Sequence, residues 1–192
     1  MGDQLRILHL ADTHIGSQLP GRPRNGARRR GDDFVDSYRR VLAHAAEGGV
    51  DLVIHAGDVF DMPNPSQRAT FEAALPLLEL AAEGVPVLIV PGNHERSAIP
   101  ASLLLAHPNI HIAAESGTWT FHVRKMRVAI AALPCLRRQS AARFADALGA
   151  TMWHNRRGDV NILAVHQTFE SATCGPGNFR FRSGEDVVER DA

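Results

Sequence analysis

Apolar residues along this chain gather in short dense runs separated by polar, glycine-marked stretches. Residues 5–10, 51–56, 85–90 and 160–165 are each six long and rich in Leu, Ile, Val and Ala. Runs of that length read as buried strands. The 85–90 run is nearly uninterrupted, as expected for a strand covered on both faces, and 5–10 reads as a central strand. Between the first three runs the period becomes helical. From a cap at Asp32 or Asp33 to about Glu47, residues Phe34, Val35, Tyr38, Val41, Leu42 and Ala45 form one stripe, and Gly48-Gly49 ends it. Ser66 caps a second helix reaching about Glu83, with Phe71, Ala74, Leu75, Leu78 and Ala82 as its buried face and Pro76 bending or splitting it. Strands alternating with helices predict parallel βαβ units.

The second half changes style. Residues 103–106 read as a short helix. The runs at 109–113, 118–123 and 128–133, with turns near Gly117 and Arg124-Lys125, predict antiparallel hairpin strands. Residues 137–148 read as a helix ended by Gly149. The tail from 173 to 192 is rich in glycine and charge and predicts no helix.

Composition narrows the class. The chain has 192 residues, 44% of them hydrophobic, which suits one globular core. Lys+Arg and Asp+Glu are 21 each, so net charge gives no nucleic-acid signal and any steering rests on local patches. Cys135 and Cys174 have neither a disulfide framework nor zinc-type spacing, and a reducing cytoplasm is the natural setting. No apolar run approaches membrane-spanning length, and no signal-peptide pattern opens the chain.

The chemistry lies where the strands end. Residues 5–10 run into Asp12-Thr13-His14, residues 51–56 into Gly57-Asp58-Val59-Phe60-Asp61, residues 85–90 into Gly92-Asn93-His94-Glu95, and residues 160–165 into His166. Open α/β sheets place ligands beyond the carboxyl ends of their strands. Asp, His, Asp, Asn and His converging on one rim offer mixed oxygen and imidazole donors, suited to manganese, iron or zinc. Singly, each has a plainer reading: Asp12 as an Asx turn, Gly92-Asn93 as an ordinary turn, Asp61 as a supporting carboxylate or a helix cap. His55, inside its strand, reads as a hydrogen-bonded core histidine rather than a ligand. The loop after His14 holds five arginines between 22 and 30. Its position near the rim favours phosphate contact by Arg28, Arg29 and Arg30 over a merely solvated surface.

Taken together, D-x-H, G-D-x-x-D, G-N-H-[DE] and a lone histidine, in that order and each after a strand, resemble the calcineurin-like metallophosphoesterase superfamily. Within it, the wording of residues 8–16 and 55–61 is similar to SbcD-type DNA repair exonucleases. The resemblance implies a four-layer αββα sandwich in a single metallophosphoesterase (nuclease) domain over 1–192. It implies two divalent metals, manganese first, one held by Asp12, His14 and Asp58 and the other by Asp58, Asn93 and His166. Asp58 would bridge them, and His94 would act on the transition state or the leaving oxygen. DNA is the implied substrate, and an SbcC-type coiled-coil ATPase the implied partner. The pattern's final G-H-x-H is missing after His166, which implies a domain truncated at its C-terminus and weak metal binding with three ligands per ion. A phosphatase or small phosphodiesterase of the same fold is the alternative, and a binding module with an incomplete site is a third.

Overall fold

A computed structural model describes residues 4–17, 30–95, 99, 106–136, 141–174, 176–180 and 187–188. Strand β1 (Ile7–Leu10), helix α1 (Arg30–Glu47), β2 (Leu52–Ala56), α2 (Gln67–Ala82) and β3 (Val87–Val90) alternate as the apolar pattern predicts, and β4 (Ile110–Ile112) follows. The four strands form one parallel sheet in the order β1-β2-β3-β4. A parallel sheet wound in sequence order with right-handed crossovers carries its helices on one face. The other face is left for a second layer. That layer is the sheet β5 (Gly117–Val123), β6 (Met126–Leu133) and β7 (Val160–Val165).

Side-chain alternation along β2 divides the core between these layers. Val53 packs with Val35, Tyr38 and Leu42 of α1 and Ala73 and Leu77 of α2. Leu52 and Ile54 face the other way, against Val128, Ile130 and Ala132 of β6. The outer face of the second sheet is covered by α3 (Ala141–Ala150), whose Phe144 packs with Leu133 and Val188. The described residues therefore form helix, sheet, sheet and helix layers, the αββα arrangement expected. Asp51 ties the two sheets at the end away from the strands' carboxyl termini. It accepts the Arg6 backbone N–H at 2.8 Å and the Arg124 guanidinium at 2.7 Å. Beyond β7 the described residues form four two-residue strands: β8 (Thr168–Phe169) pairs with β11 (Val187–Val188), and β9 (Thr173–Cys174) with β10 (Phe179–Arg180).

Several local expectations change. β1 is an edge strand of its sheet rather than a central one. The run at 109–113 does not join a hairpin: β4 pairs parallel with β3, and of the three runs the antiparallel pair is β5 with β6. Three successive apolar runs cannot by themselves reveal that the chain changes sheets between the first and the second. α2 continues through Pro76 without splitting, and its buried side is Ala69, Thr70, Ala73, Ala74, Pro76, Leu77, Leu80 and Ala81. Phe71 is 59% exposed. The helix is apolar on more than one side, and small alanines let it approach the sheet more closely than a phenylalanine stripe would. α3 passes Gly149 by one residue. The helix expected at 103–106 falls mainly outside the described residues.

Candidate metal centre

The turns that follow β1 and β2 are built as one unit. Asp12 N–H donates to the Gly57 carbonyl at 3.0 Å, His14 N–H to Asp58 O at 3.0 Å, and Ile15 N–H to Val59 O at 2.8 Å. Asp61 N–H returns the pairing to Ile15 O at 3.2 Å. Thr13 Oγ1 donates to the Val59 carbonyl at 3.2 Å and accepts from His55 Nε2 at 2.9 Å, so His55 is the hydrogen-bonded core histidine expected. Three non-glycine residues in these turns are left-handed: Asp12 at φ 55°, His14 at 43° and Asp58 at 54°. Each costs on the order of 1–3 kcal/mol and persists only where surrounding bonds enforce it. The strain turns all three side chains to one rim.

Asp58, 3% exposed, is the hub. Its Oδ2 lies 3.9 Å from His14 Nε2, 3.8 Å from His94 Nε2 and 3.5 Å from His166 Nε2. His14 Nε2 is also 3.9 Å from Asp12 Oδ1, and His166 Nε2 is 3.1 Å from Asn93 Oδ1. The five residues expected as ligands are thus gathered around one buried carboxylate, with His94 beside them. Two overlapping groups each bring their ligand atoms within 4.8 Å of one another: His14, Asp58 and His94; and Asp12, Asp58 and His166.

Neighbouring groups set which ring nitrogen faces inward. His166 Nδ1 lies 2.7 Å from the Ala56 carbonyl, and His94 Nδ1 2.5 Å from the Asp61 carbonyl. A carbonyl only accepts, so both Nδ1 atoms carry protons and both Nε2 atoms point at Asp58, the arrangement by which metal-ligating histidines are oriented. His14 places its Nδ1 in a buried position without a hydrogen-bond partner, 3.5 Å from Asp61 Oδ1. Asp61 thus stands beside His14 without a hydrogen bond to it, and it does not cap α2: the cap is Ser66, whose hydroxyl accepts from Ala69 N–H. Burial alone would lower the His166 pKa, but the hydrogen bond to Asp58, the Ala56 carbonyl and the Asp58 charge raise it to about 9. Burial opposes ionisation of Asp58, yet His166 and the His94 N–H hold its carboxyl below the usual range. A buried anion that draws a proton onto an adjacent imidazole sits in a field that also favours a cation.

Sequence reasoning assigned no role to Glu95. Its carboxylate is 3% exposed and accepts three backbone N–H groups: Phe60 at 2.8 Å on Oε1, and Gly92 at 2.8 Å and Asp58 at 3.1 Å on Oε2. The only sequence signal was an acidic residue immediately after the Gly-Asn-His turn. Asp58 Oδ1 accepts the His94 N–H at 3.0 Å. The two glycines also act through space. A Cβ on Gly92 would overlap the Asp58 carboxylate and N–H, and one on Gly57, at φ +95°, would overlap the His166 ring. Of the arginines expected at the rim, Arg28 and Arg29 lie outside the described residues and Arg30 is the first residue of α1.

The family model for calcineurin-like phosphoesterases matches residues 5–188. The chain is 38% identical over 90 residues to a DNA double-strand break repair protein, Mre11, of Haloferax volcanii, covering 47% of this chain and 19% of that protein. It is 29% identical over 183 residues to the SbcD component of the SbcCD nuclease of Bacillus subtilis, covering 93% of this chain and 44% of that one. The chain thus spans less than half the length of either relative. Among solved structures, TT1561 of Thermus thermophilus matches over 95% of this chain and 75% of its own, with a TM-score of 0.55 and 16% identity, a likeness of fold.

Proposed function

Because this chain belongs to the calcineurin-like phosphoesterase family, we propose that it is the metal-binding domain of a manganese-dependent DNA nuclease acting in DNA repair. The observation that carries the reading is the set of three imidazole Nε2 atoms within 3.9 Å of Asp58 Oδ2, with Asp12 and Asn93 at its edges. The donors fit a pair of borderline divalent ions. Asp12, His14 and Asp58 would hold one and Asp58, Asn93 and His166 the other. Bound there, the metals supply Lewis-acid activation of a water and neutralise a phosphodiester for in-line displacement.

The chain's own groups do the rest. Asp58 presents its carboxylate to the rim, held by its left-handed backbone. His166 is fixed at Nδ1 by the Ala56 carbonyl, so its Nε2 faces Asp58 and would ligate once its proton is lost. His94 is anchored at Nδ1 by the Asp61 carbonyl, which leaves Nε2 to carry a proton to the leaving oxygen. Arg28 and Arg29, which precede α1 in sequence, and Arg30 at its start would contact DNA phosphates. A coiled-coil ATPase of the SbcC type is the partner we propose, and the cytoplasm the setting. Among the described residues no helix is long and apolar enough to cross a membrane.

Net charge of zero keeps a phosphatase or small phosphodiesterase as the second reading. One assay separates them. End-labelled linear DNA, a p-nitrophenyl monoester and a bis-ester are incubated with the protein, with and without Mn2+, beside Asp58→Asn. Mn2+-dependent DNA cleavage lost in Asp58→Asn is expected. Ester hydrolysis with DNA left intact would overturn the nuclease reading.

A further inference from the structure

We infer that Glu95 is a positioning residue for the metal centre: its buried carboxylate locks the Asp58 turn to the turn after β3, and the lock requires an acceptor on both oxygens. This inference rests on the proposed metal-binding role of Asp58. Asp58 departs from ordinary backbone conformation, with φ 54° following Gly57 at φ +95°. Something must hold it there. The pairing with the β1 turn uses the carbonyls of Gly57, Asp58 and Val59. The N–H groups on the same stretch point the other way, and Glu95 collects two of them, from Asp58 and Phe60. Its third bond, to the Gly92 N–H, joins this turn to the one carrying Asn93 and His94. One side chain therefore sets the spacing between the bridging carboxylate and the residues of the third strand end. Asp58 Oδ1 reinforces the join by accepting the His94 N–H.

The chemistry of this position excludes an amide. A carboxylate accepts on both oxygens and donates nothing. In Glu95→Gln the amide has one acceptor oxygen and one NH2. Whichever way it turns, the NH2 faces a backbone N–H: Phe60 on one side, Asp58 and Gly92 on the other. Glu95→Asp keeps the charge and both acceptor oxygens on a stem one methylene shorter. The side chain is 3% exposed, so water cannot readily restore a lost bond.

The test measures Mn2+ binding to the full chain by electron paramagnetic resonance, using the metal alone as probe. Wild type, Asp58→Asn, Glu95→Gln, Glu95→Asp and Leu77→Ala are compared well below their melting temperatures. Supporting residues around metal ligands are typically worth about 10–100-fold in affinity. A loss of that order is expected in Glu95→Gln, with a changed spectrum for the Mn2+ that still binds and partial recovery in Glu95→Asp. Leu77→Ala, destabilised in the distant helix layer, should bind Mn2+ as wild type does, which separates positioning from general loss of stability. If Asp58→Asn leaves wild-type binding unchanged, the metal reading itself fails. If Asp58→Asn abolishes binding and Glu95→Gln matches wild type, only the Glu95 inference fails. Should Glu95→Gln not fold, amide hydrogen exchange on wild type decides: the Asp58, Phe60 and Gly92 amides must exchange as slowly as those of β2 and β3. Fast exchange at these three overturns the lock.

Discussion

His55 offers the sharpest test of how the underside of the centre is built. It is fully buried in β2, and Thr13 Oγ1 occupies its Nε2 while Nδ1 has no hydrogen-bond partner. Burial, assisted by the nearby His166 and His9 and opposed by Asp58, lowers its pKa to about 3. The unfolded chain has an ordinary histidine titrating near about 6.5. Between those values the unfolded state binds a proton that the folded state refuses, so folding stability falls as pH falls. The slope is about 1.4 kcal/mol per pH unit. At about pH 5 this amounts to about 2 kcal/mol, relative to a residue that stays neutral in both states. His111, partly buried, is also held below the ordinary histidine value by desolvation and adds in the same direction, whereas the remaining shifted groups near the centre act elsewhere. His166 is raised to about 9, so its contribution is fully present below about 6.5 and disappears as pH rises through 9. Asp58 is lowered, so its contribution is lost only at pH values below the usual carboxylate range. The interval from about pH 5 to 6.5 therefore belongs to His55 and His111, and His55, fully buried, is the one His55→Gln removes. Urea melts with a chelator present, across that interval, compare wild type with His55→Gln. The glutamine amide can still donate to Thr13 and does not titrate. The wild-type midpoint should slide toward lower urea with acid more steeply than the variant's, which retains only the share of His111. Parallel slopes in the two proteins would refute the reasoning, because the acid sensitivity would then arise from other groups.

Further predictions follow from the same contacts. Leu77→Ala, at a side chain with no exposed surface, should cost about 2–5 kcal/mol in chemical denaturation, whereas Phe71→Ala on the same helix should cost well under about 1 kcal/mol. Tyr38→Phe removes a buried hydrogen bond of 2.9 Å to the Ala73 carbonyl and should lower stability by about 1 kcal/mol. Gly57→Ala should abolish Mn2+ binding in titration calorimetry, since its Cβ meets the His166 ring and φ +95° disfavours alanine. Mn2+ must displace the proton that Asp58 holds on His166, so Mn2+ affinity should rise with pH up to about 9, with proton release detectable in weakly buffered solution.

Much of the site was legible because its chemistry is local. Asp12, His14, Asp58, Asn93 and His166 each follow an apolar run, and a strand that ends in a turn exposes whatever residue comes next. The runs themselves announced β2, β3 and β7, and the helical stripes announced α1 and α2, because burial on one or two faces leaves a periodic trace. Other features depended on partners far away in sequence. Which stripe of α2 is buried was settled by the sheet it met. β4 joined β3 instead of β5 because strand pairing is a choice among edges, invisible in any one run. Glu95 shows the limit most clearly. As a residue type it is an ordinary acid in a turn; only the folded chain brings the N–H groups of residues 58, 60 and 92 to its two oxygens. The sequence alone determined which turns carry the candidate ligand residues and in what order. The tertiary structure decided how they are held against one another, because backbone groups carry no identity until folding places them.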